Sequence, residues 1–229
     1  MNTFISVLRQ ISLKDVEEED EVLERTPIEG LHWIRTYGIK STPQSRIVIP
    51  SQGQGNFSIV YHARDFSKAS HDGYDYYGLH VGQADVLTFL ATDDRKMSGH
   101  FVDCRKGSPT RHRDWKMTFH GDPDRALVID RGIAHIFDNL KGMITLNQMR
   151  IYLDFGNPDF NANTDVINVP RGTDANKFPA VQVNRLRAPK WLCRLAIKAQ
   201  RLQLRTGSIS ANHPFKFKAG NKTVVLTPL

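Results

Sequence analysis

The chain has 229 residues, 31 Lys and Arg against 24 Asp and Glu, a net charge of +7 and 40% hydrophobic residues. That length buries roughly 70% of the unfolded surface in one large domain or two small ones, and the apolar content excludes an intrinsically disordered chain. The longest apolar runs, such as Ala126 to Ile129, fall far short of the ~18 residues of a membrane-spanning helix, and the start Met1-Asn-Thr-Phe-Ile-Ser-Val-Leu-Arg lacks the pattern of a secretory signal, so a cytoplasmic protein is expected.

Along the chain, the first informative feature is an acidic block of Asp15, Glu17, Glu18, Glu19, Asp20, Glu21 and Glu24. With helical character around Leu13 to Arg25, residues 1–45 read as an N-terminal arm. From Ser45 the pattern becomes that of strands: Ser45–Pro50, Asn56–Tyr61, Asp85–Leu90, Gly99–Cys104, Ala126–Ile129 and Ile144–Phe155. They are short, partly β-branched or aromatic, and separated by Gly, Pro, Asp and Asn. No long helical segments alternate with them, so a doubly wound α/β sheet is disfavoured and an antiparallel β-sandwich or barrel is expected over 46–175. No repeat of 20–50 residues is visible, which argues against a solenoid or propeller.

Residues 176–229 form a basic extension. Arg185 to Leu229 holds ten Lys and Arg and no carboxylate, whereas the rest of the chain is slightly acidic. Pro189 opens a stretch in which Trp191, Leu195, Ala199 and Leu202 recur at helical spacing, with Lys190, Arg194, Lys198, Arg201 and Arg205 on the other face. A basic amphipathic helix at about 190–205 suits docking on its own domain, and also peripheral contact with an anionic membrane; nucleic acid is not the expected partner.

Cys104 and Cys193 lie far apart, with neither Cys-x-x-Cys spacing nor a Cys/His cluster, so both are expected to be reduced, packed thiols. The nine histidines show no His-x-His spacing, and His80 is followed two residues on by Gly82, so no metal site is expected. Gly53-Gln-Gly55 is too short for a phosphate loop, and no Gly-x-Ser-x-Gly occurs.

The stretch Gly99-His-Phe-Val-Asp-Cys-Arg-Lys-Gly-Ser-Pro-Thr110 is followed by Trp115 and then by Ala126-Leu-Val-Ile-Asp-Arg-Gly-Ile-Ala-His-Ile-Phe137. Upstream lie Gly55-Asn-Phe-Ser-Ile-Val-Tyr-His-Ala-Arg-Asp-Phe66 and Tyr77-Gly-Leu-His80. In order and approximate spacing these resemble the dTDP-4-dehydrorhamnose 3,5-epimerase family over about residues 50–160, as a divergent member. The resemblance implies a cupin jelly roll, a homodimer, and a cavity for a nucleotide-diphospho-4-keto-6-deoxy sugar. It implies an isomerase that needs no metal or other cofactor.

Inverting a carbon next to a ketone requires a base on one face, a donor to the enolate oxygen and an acid on the other face. Carried over by the resemblance, His80 is the base, a role that suits an imidazole titrating near neutrality. Its dyad carboxylate is Asp159 or Asp165, with Asp165 preferred, and His135 lies beside the sugar. Tyr152 is the nearest tyrosine to the family's acid. Strand alternation puts Gln148, Arg150, Tyr152 and Asp154 on one polar face, which serves either solvent or a cavity. Gln148 and Arg150 are therefore candidate substrate contacts, as are Tyr77 and Arg105; the turn Arg105 to Arg113 is basic enough to touch phosphates.

The chain also departs from the family. Tyr77 stands where the family has Arg, the catalytic Lys position falls near Thr88, no Lys or Arg lies between His80 and Arg95, and Ile136 replaces a Gly. Arg150 is a candidate for the missing positive charge. These losses keep two alternatives open: a cupin that binds a sugar or nucleotide sugar without turnover, and a related sugar ketoisomerase.

Overall fold

The computed structural model describes residues 20–41, 46–49, 58–62, 74–91, 93–154, 156–161, 165–189, 215–219 and 222–226. Two antiparallel sheets dominate. The first runs in the order β1 (Val22–Arg25), β2 (Leu31–Arg35), β10 (Arg125–Ile129), β7 (Gln83–Leu90), β12 (Ile144–Asn147) and β5 (Ser58–Tyr61). In it β13 (Arg150–Leu153) continues along β7 past β12 and pairs with β15 (Leu186–Arg187). The second sheet runs β14 (Val166–Pro170), β6 (Tyr76–His80), β11 (Ile133–Asp138), β8 (Lys96–Asp103) and β9 (Asp114–His120). Two separate hairpins, β3 (Tyr37–Ser41) with β4 (Arg46–Ile49) and β16 (Phe215–Ala219) with β17 (Lys222–Leu226), complete the description.

From β6 to β12 the chain keeps crossing between the sheets: β6 lies in the second, β7 in the first, β8 and β9 in the second, β10 in the first, β11 in the second and β12 in the first. That weave is a jelly roll, as expected, and a single 3-10 turn at Ala175–Lys177 is the only helical segment among the described residues. No helix among them is long and apolar enough to cross a membrane.

The sheets pack face to face through a cluster that draws Trp33, Leu87, Phe89, Leu127 and Ile129 from one and Met97, Phe101, Phe119, Ile133 and Phe137 from the other. Phe89 meets Phe119 and Phe137 edge-on across the layer, with ring centres 4.8 and 5.2 Å apart. Each fully buried aromatic contributes on the order of 1.5–3 kcal/mol. This apolar plug fills one part of the interior and leaves the remainder open.

The second sheet is buried on its outer face as well. Tyr77, Leu79, Val102, Cys104, Ala134, Ile136 and Val169 meet Phe178 and Val181, which follow β14. Burial pushes the Cys104 thiol up to about 12, so it is a packed, unreactive group.

Several expected boundaries change. The span 1–45 is not an arm throughout: β1 and β2 are strands of the first sheet, and Leu31, Trp33 and Ile34 are core residues. Val22–Arg25 is strand and not helix. The sandwich also extends past residue 175, because Phe178, Val181 and β15 belong to it. The expected strand 144–155 is two, β12 and β13, which share one unbroken register along β7. The expected helix at 190–205, with Cys193, lies outside the described residues.

Candidate functional site

Alternation decides which side chains reach the interior. In β6, Tyr77 and Leu79 join the outer cluster, so Gly78 and His80 face inward. In β11, Ala134 and Ile136 are outer, which puts His135 inside, and in β7 Gln83, Asp85, Leu87 and Phe89 are inner. Together with Tyr74, Tyr76, His62, Thr145, Asn147 and Asn168 these residues enclose a cavity of about 500 Å³ between the sheets. That volume suits a hexose with part of its substituent.

His80 ends β6, and the turn after it is unusually tight. A side chain at Gly82 would sit 2.8 Å from the Tyr152 carbonyl oxygen and 2.7 Å from the Phe160 ring. The close approach frees two backbone N–H groups for Asp165, whose Oδ1 accepts from Gly82 at 2.8 Å and Val81 at 3.3 Å. Asp165 Oδ2 then lies 3.4 Å from His80 Nδ1; among the described residues neither atom has another hydrogen-bond partner, so they face each other. Asp159, the other candidate, is committed elsewhere, to Lys106 Nζ and the Gln182 N–H.

On its other edge, His80 Nε2 lies 3.6 Å from Asp85 Oδ2, and His135 Nε2 lies 3.4 Å from that same oxygen. The two imidazoles stack with centres 6.0 Å apart. Asp85 Oδ1 accepts from Gln83 Nε2 and Asn147 Nδ2, each at 2.7 Å. Burial disfavours charge on His80, but Asp85 and Asp165 outweigh it and hold its pKa above the ordinary value. Burial wins at His135, whose pKa is lowered in spite of Asp85. Asp85 is held below the carboxylate range, because the two imidazoles and two amide donors overcome its own burial.

A second polar group lines the cavity away from His80. His62, at the end of β5, pairs through Nδ1 with the Tyr74 hydroxyl and through Nε2 with Thr145 Oγ1, both at 2.8 Å. Thr145 faces Phe89 across the sheet, and Phe89 is four residues from Asp85 along β7, about 13 Å away. Burial raises the Tyr74 pKa, so this hydroxyl keeps its proton.

The structure thus brings His80, Asp165 and His135 together and places the other expected contacts elsewhere. Asn147 pairs with Leu87 and Arg150 with Ala84, so by register Gln148, Arg150 and Tyr152 share the outer face of the first sheet. Arg150 pairs there with Asp20 at 2.7 Å, and Tyr152 lies under the Arg131 guanidinium, 3.6 Å from its ring centre. The three do share one face, but it is not the one that the second sheet covers. Tyr77 points away from the cavity because it is three residues from His80, its hydroxyl 2.5 Å from His100 Nδ1. Ile136 packs into the outer cluster while also bordering the cavity.

Arg105 does not reach the cavity either. It folds back on Asp103, which is 1% exposed and accepts from the Arg105 N–H and Nε at 3.0 Å, Arg105 Nη2 at 2.8 Å, and Ser108 and Thr110 hydroxyls at 2.6 Å. The Val-Asp-x-Arg-x-x-Ser-Pro-Thr stretch is therefore a turn clamp centred on Asp103. It also positions Gly132, where φ is +77° and an added side chain would meet Arg105 Cγ at 2.4 Å; the Gly132 N–H in turn bonds the His80 carbonyl at 2.7 Å.

Asp85, Asn147, Gln83, His62 and Tyr74 were not anticipated. Gln83 and Asp85 did leave a trace, as polar residues alternating with Ala84 and Val86 in an otherwise apolar strand. Two of Asp85's partners, Asn147 and His135, come from strands 50 or more residues away, which no local pattern reveals.

No protein-family model matches the chain, and no curated protein matches it. Among solved structures it is similar to dTDP-4-dehydrorhamnose 3,5-epimerase from Bacillus anthracis with TDP and PPi bound, at 16% identity, covering 73% of this chain and 94% of that one, with a TM-score of 0.47. It is similar to an rmlC epimerase of Mycobacterium tuberculosis, at 12% identity, covering 80% and 98%, with a TM-score of 0.47. A third likeness is to QdtA, a sugar 3,4-ketoisomerase from Thermoanaerobacterium thermosaccharolyticum in complex with TDP, at 14% identity, covering 61% and 88%, with a TM-score of 0.41.

Proposed function

We propose that the chain is an isomerase of the epimerase type, acting on a nucleotide-diphospho-4-keto-6-deoxy sugar. The observation that carries this reading is that the His80 imidazole opens onto the interior cavity with its Nδ1 facing Asp165. The ordered sequence motifs that resemble nucleotide-sugar epimerases support it. In the reaction the C–H bond next to the ketone breaks, the proton passes to His80 Nε2, and the electron pair moves onto the carbonyl oxygen as an enolate. Asp165 orients the ring and balances the imidazolium. A proton returned to the opposite face of the carbon restores the ketone with inverted configuration. Tyr152 cannot supply that proton, because it lies on the outer face of the first sheet beneath the Arg131 guanidinium. The reading carries with it a homodimer, a cytoplasmic location and a place in surface-polysaccharide or related sugar synthesis.

Incubation with dTDP-4-keto-6-deoxyglucose in heavy water, followed by proton NMR, tests the reading. The C3 or C5 hydrogen signal is expected to fade, and His80→Asn to slow this by ~10²–10⁴-fold. A second reading, a cupin that binds the nucleotide sugar without turnover, is favoured by the lack of any Lys or Arg among the described cavity-lining residues. Tight binding with no isotope uptake would replace the first reading by the second.

A further inference from the structure

Three side chains from two sheets converge on one point at the cavity wall: His80 from β6, Asp85 from β7 and His135 from β11. Their inward atoms, His80 Nε2, Asp85 Oδ2 and His135 Nε2, all lie within 4.8 Å of one another. The carboxylate oxygen is 3.6 Å from one nitrogen and 3.4 Å from the other. Charge-assisted N–H···O bonds run at about 2.7–2.9 Å, so both separations are too long for hydrogen bonds of that kind. The shorter matches, and the longer slightly exceeds, the edge of a tetrahedron around an ion with bonds of about 2.0–2.1 Å, which is about 3.3–3.4 Å long.

The outward atoms decide what the inward ones offer. His135 Nδ1 faces the Ile133 carbonyl at 3.3 Å, an acceptor only, so this nitrogen carries the hydrogen and Nε2 presents a lone pair. His80 Nδ1 faces Asp165 Oδ2 at 3.4 Å, a carboxylate whose other oxygen is already occupied by two backbone N–H groups, which favours the hydrogen on that nitrogen when the ring is neutral. Asp85 Oδ1 is held by Gln83 and Asn147, leaving Oδ2 for the convergence point. With both rings neutral, three lone pairs point at one another, an arrangement that a cation between them would relieve. A single proton serves one edge and leaves the second imidazole facing the carboxylate unassisted. Ligating imidazoles backed by a carboxylate and a carbonyl, with a ligating carboxylate backed by amides, form the outer shell that metal sites require.

We propose that His80, Asp85 and His135 form a site for a divalent transition metal, with zinc the ion that suits two imidazoles and one carboxylate. The fourth position opens onto the cavity. The inference goes beyond the epimerase reading and does not rest on it. Where that reading holds, the ion and the substrate proton compete for the same lone pair on His80 Nε2.

The test uses the full chain, stripped with EDTA and dialysed. Zinc is titrated by calorimetry, and cobalt(II) by visible absorption and proton NMR. One ion per chain is expected, with the intense absorption of four-coordinate cobalt and two exchangeable, strongly shifted N–H signals from His80 and His135. Asp85→Asn and His135→Gln, each checked for folding by circular dichroism, should weaken binding by on the order of 10²-fold. The absence of saturable binding, affinity unchanged in both folded variants, or bound cobalt without the pair of N–H signals would each overturn the site. The NMR measurement on the unsubstituted chain reads the ligands directly, so it decides the matter even if a variant fails to fold. Isotope exchange by the metal-free protein is a separate readout, so failure of the metal site and failure of the epimerase reading are told apart.

Discussion

Two buried carboxylates, Asp103 and Asp85, divide this molecule's polar interior between architecture and chemistry. Asp103 is 1% exposed and Asp85 3%, and both are held ionised against their own burial. Asp103 receives every donor it needs from the seven residues that follow it, so nothing remains for a ligand. Asp85 receives two amide donors on one oxygen and leaves the other facing two imidazoles and a cavity. A satisfied buried carboxylate is a clamp, and a half-satisfied one is a binding group.

That contrast is open to direct attack. The largest effect is expected from Asp103→Ala, which removes the nearest counter-ion of the Arg105 guanidinium, 12% exposed, and leaves it only Asp130 at 3.8 Å. Urea unfolding should show a loss of about 3–5 kcal/mol. The pH dependence gives a second handle. Hydrogen bonds from Arg105, Ser108 and Thr110 outweigh burial and lower the folded-state pKa of Asp103. Its contribution is therefore complete above the unfolded value of about 3.9 and lost as pH falls through the folded value. Asp103→Asn should accordingly flatten the decline of the urea midpoint below about pH 4; an unchanged slope would remove Asp103 from the clamp's role.

Asp85→Asn should behave in the opposite way. Its amide can keep the bonds to Gln83 and Asn147 and turn its own N–H toward an imidazole lone pair, so stability should stay within about 1 kcal/mol of the parent while zinc and cobalt binding collapses. A loss comparable to that of Asp103→Ala would mean that Asp85 too is architectural. The smallest effects belong to the outer face. Tyr152→Phe keeps the ring under Arg131, and turnover of the keto sugar should change by less than about twofold, against the 10²–10⁴-fold loss expected of a proton donor. Arg150→Met should likewise spare turnover, because Arg150 serves Asp20 on the far side of the first sheet.

The sequence made much of this legible, and residue by residue the reason is locality. Strands β5, β7, β8, β10 and β12 announce themselves by β-branched and aromatic runs between turn residues. His80 was found through Gly-Leu-His, and Asp165 was one of two named candidates. Strand β1 was missed because it lies in the acidic block, β2 because Ile34, buried next to Trp33, breaks its short alternation, and β14 because a single buried valine, Val169, marks it. Tyr77 could have been rejected from the sequence alone, since residues three apart on a strand face opposite ways.

Periodicity and short motifs by themselves determined an antiparallel β-protein, a basic C-terminal segment and an imidazole worth examining at position 80, because each is written within a few neighbouring residues. Only the tertiary structure decided which side of β13 is sealed from the cavity, and that Asp85 rather than Arg150 meets the histidines. Parity divides a strand's residues between two faces without naming the face that the opposing sheet will cover, and that choice is made by pairings between strands distant in the chain.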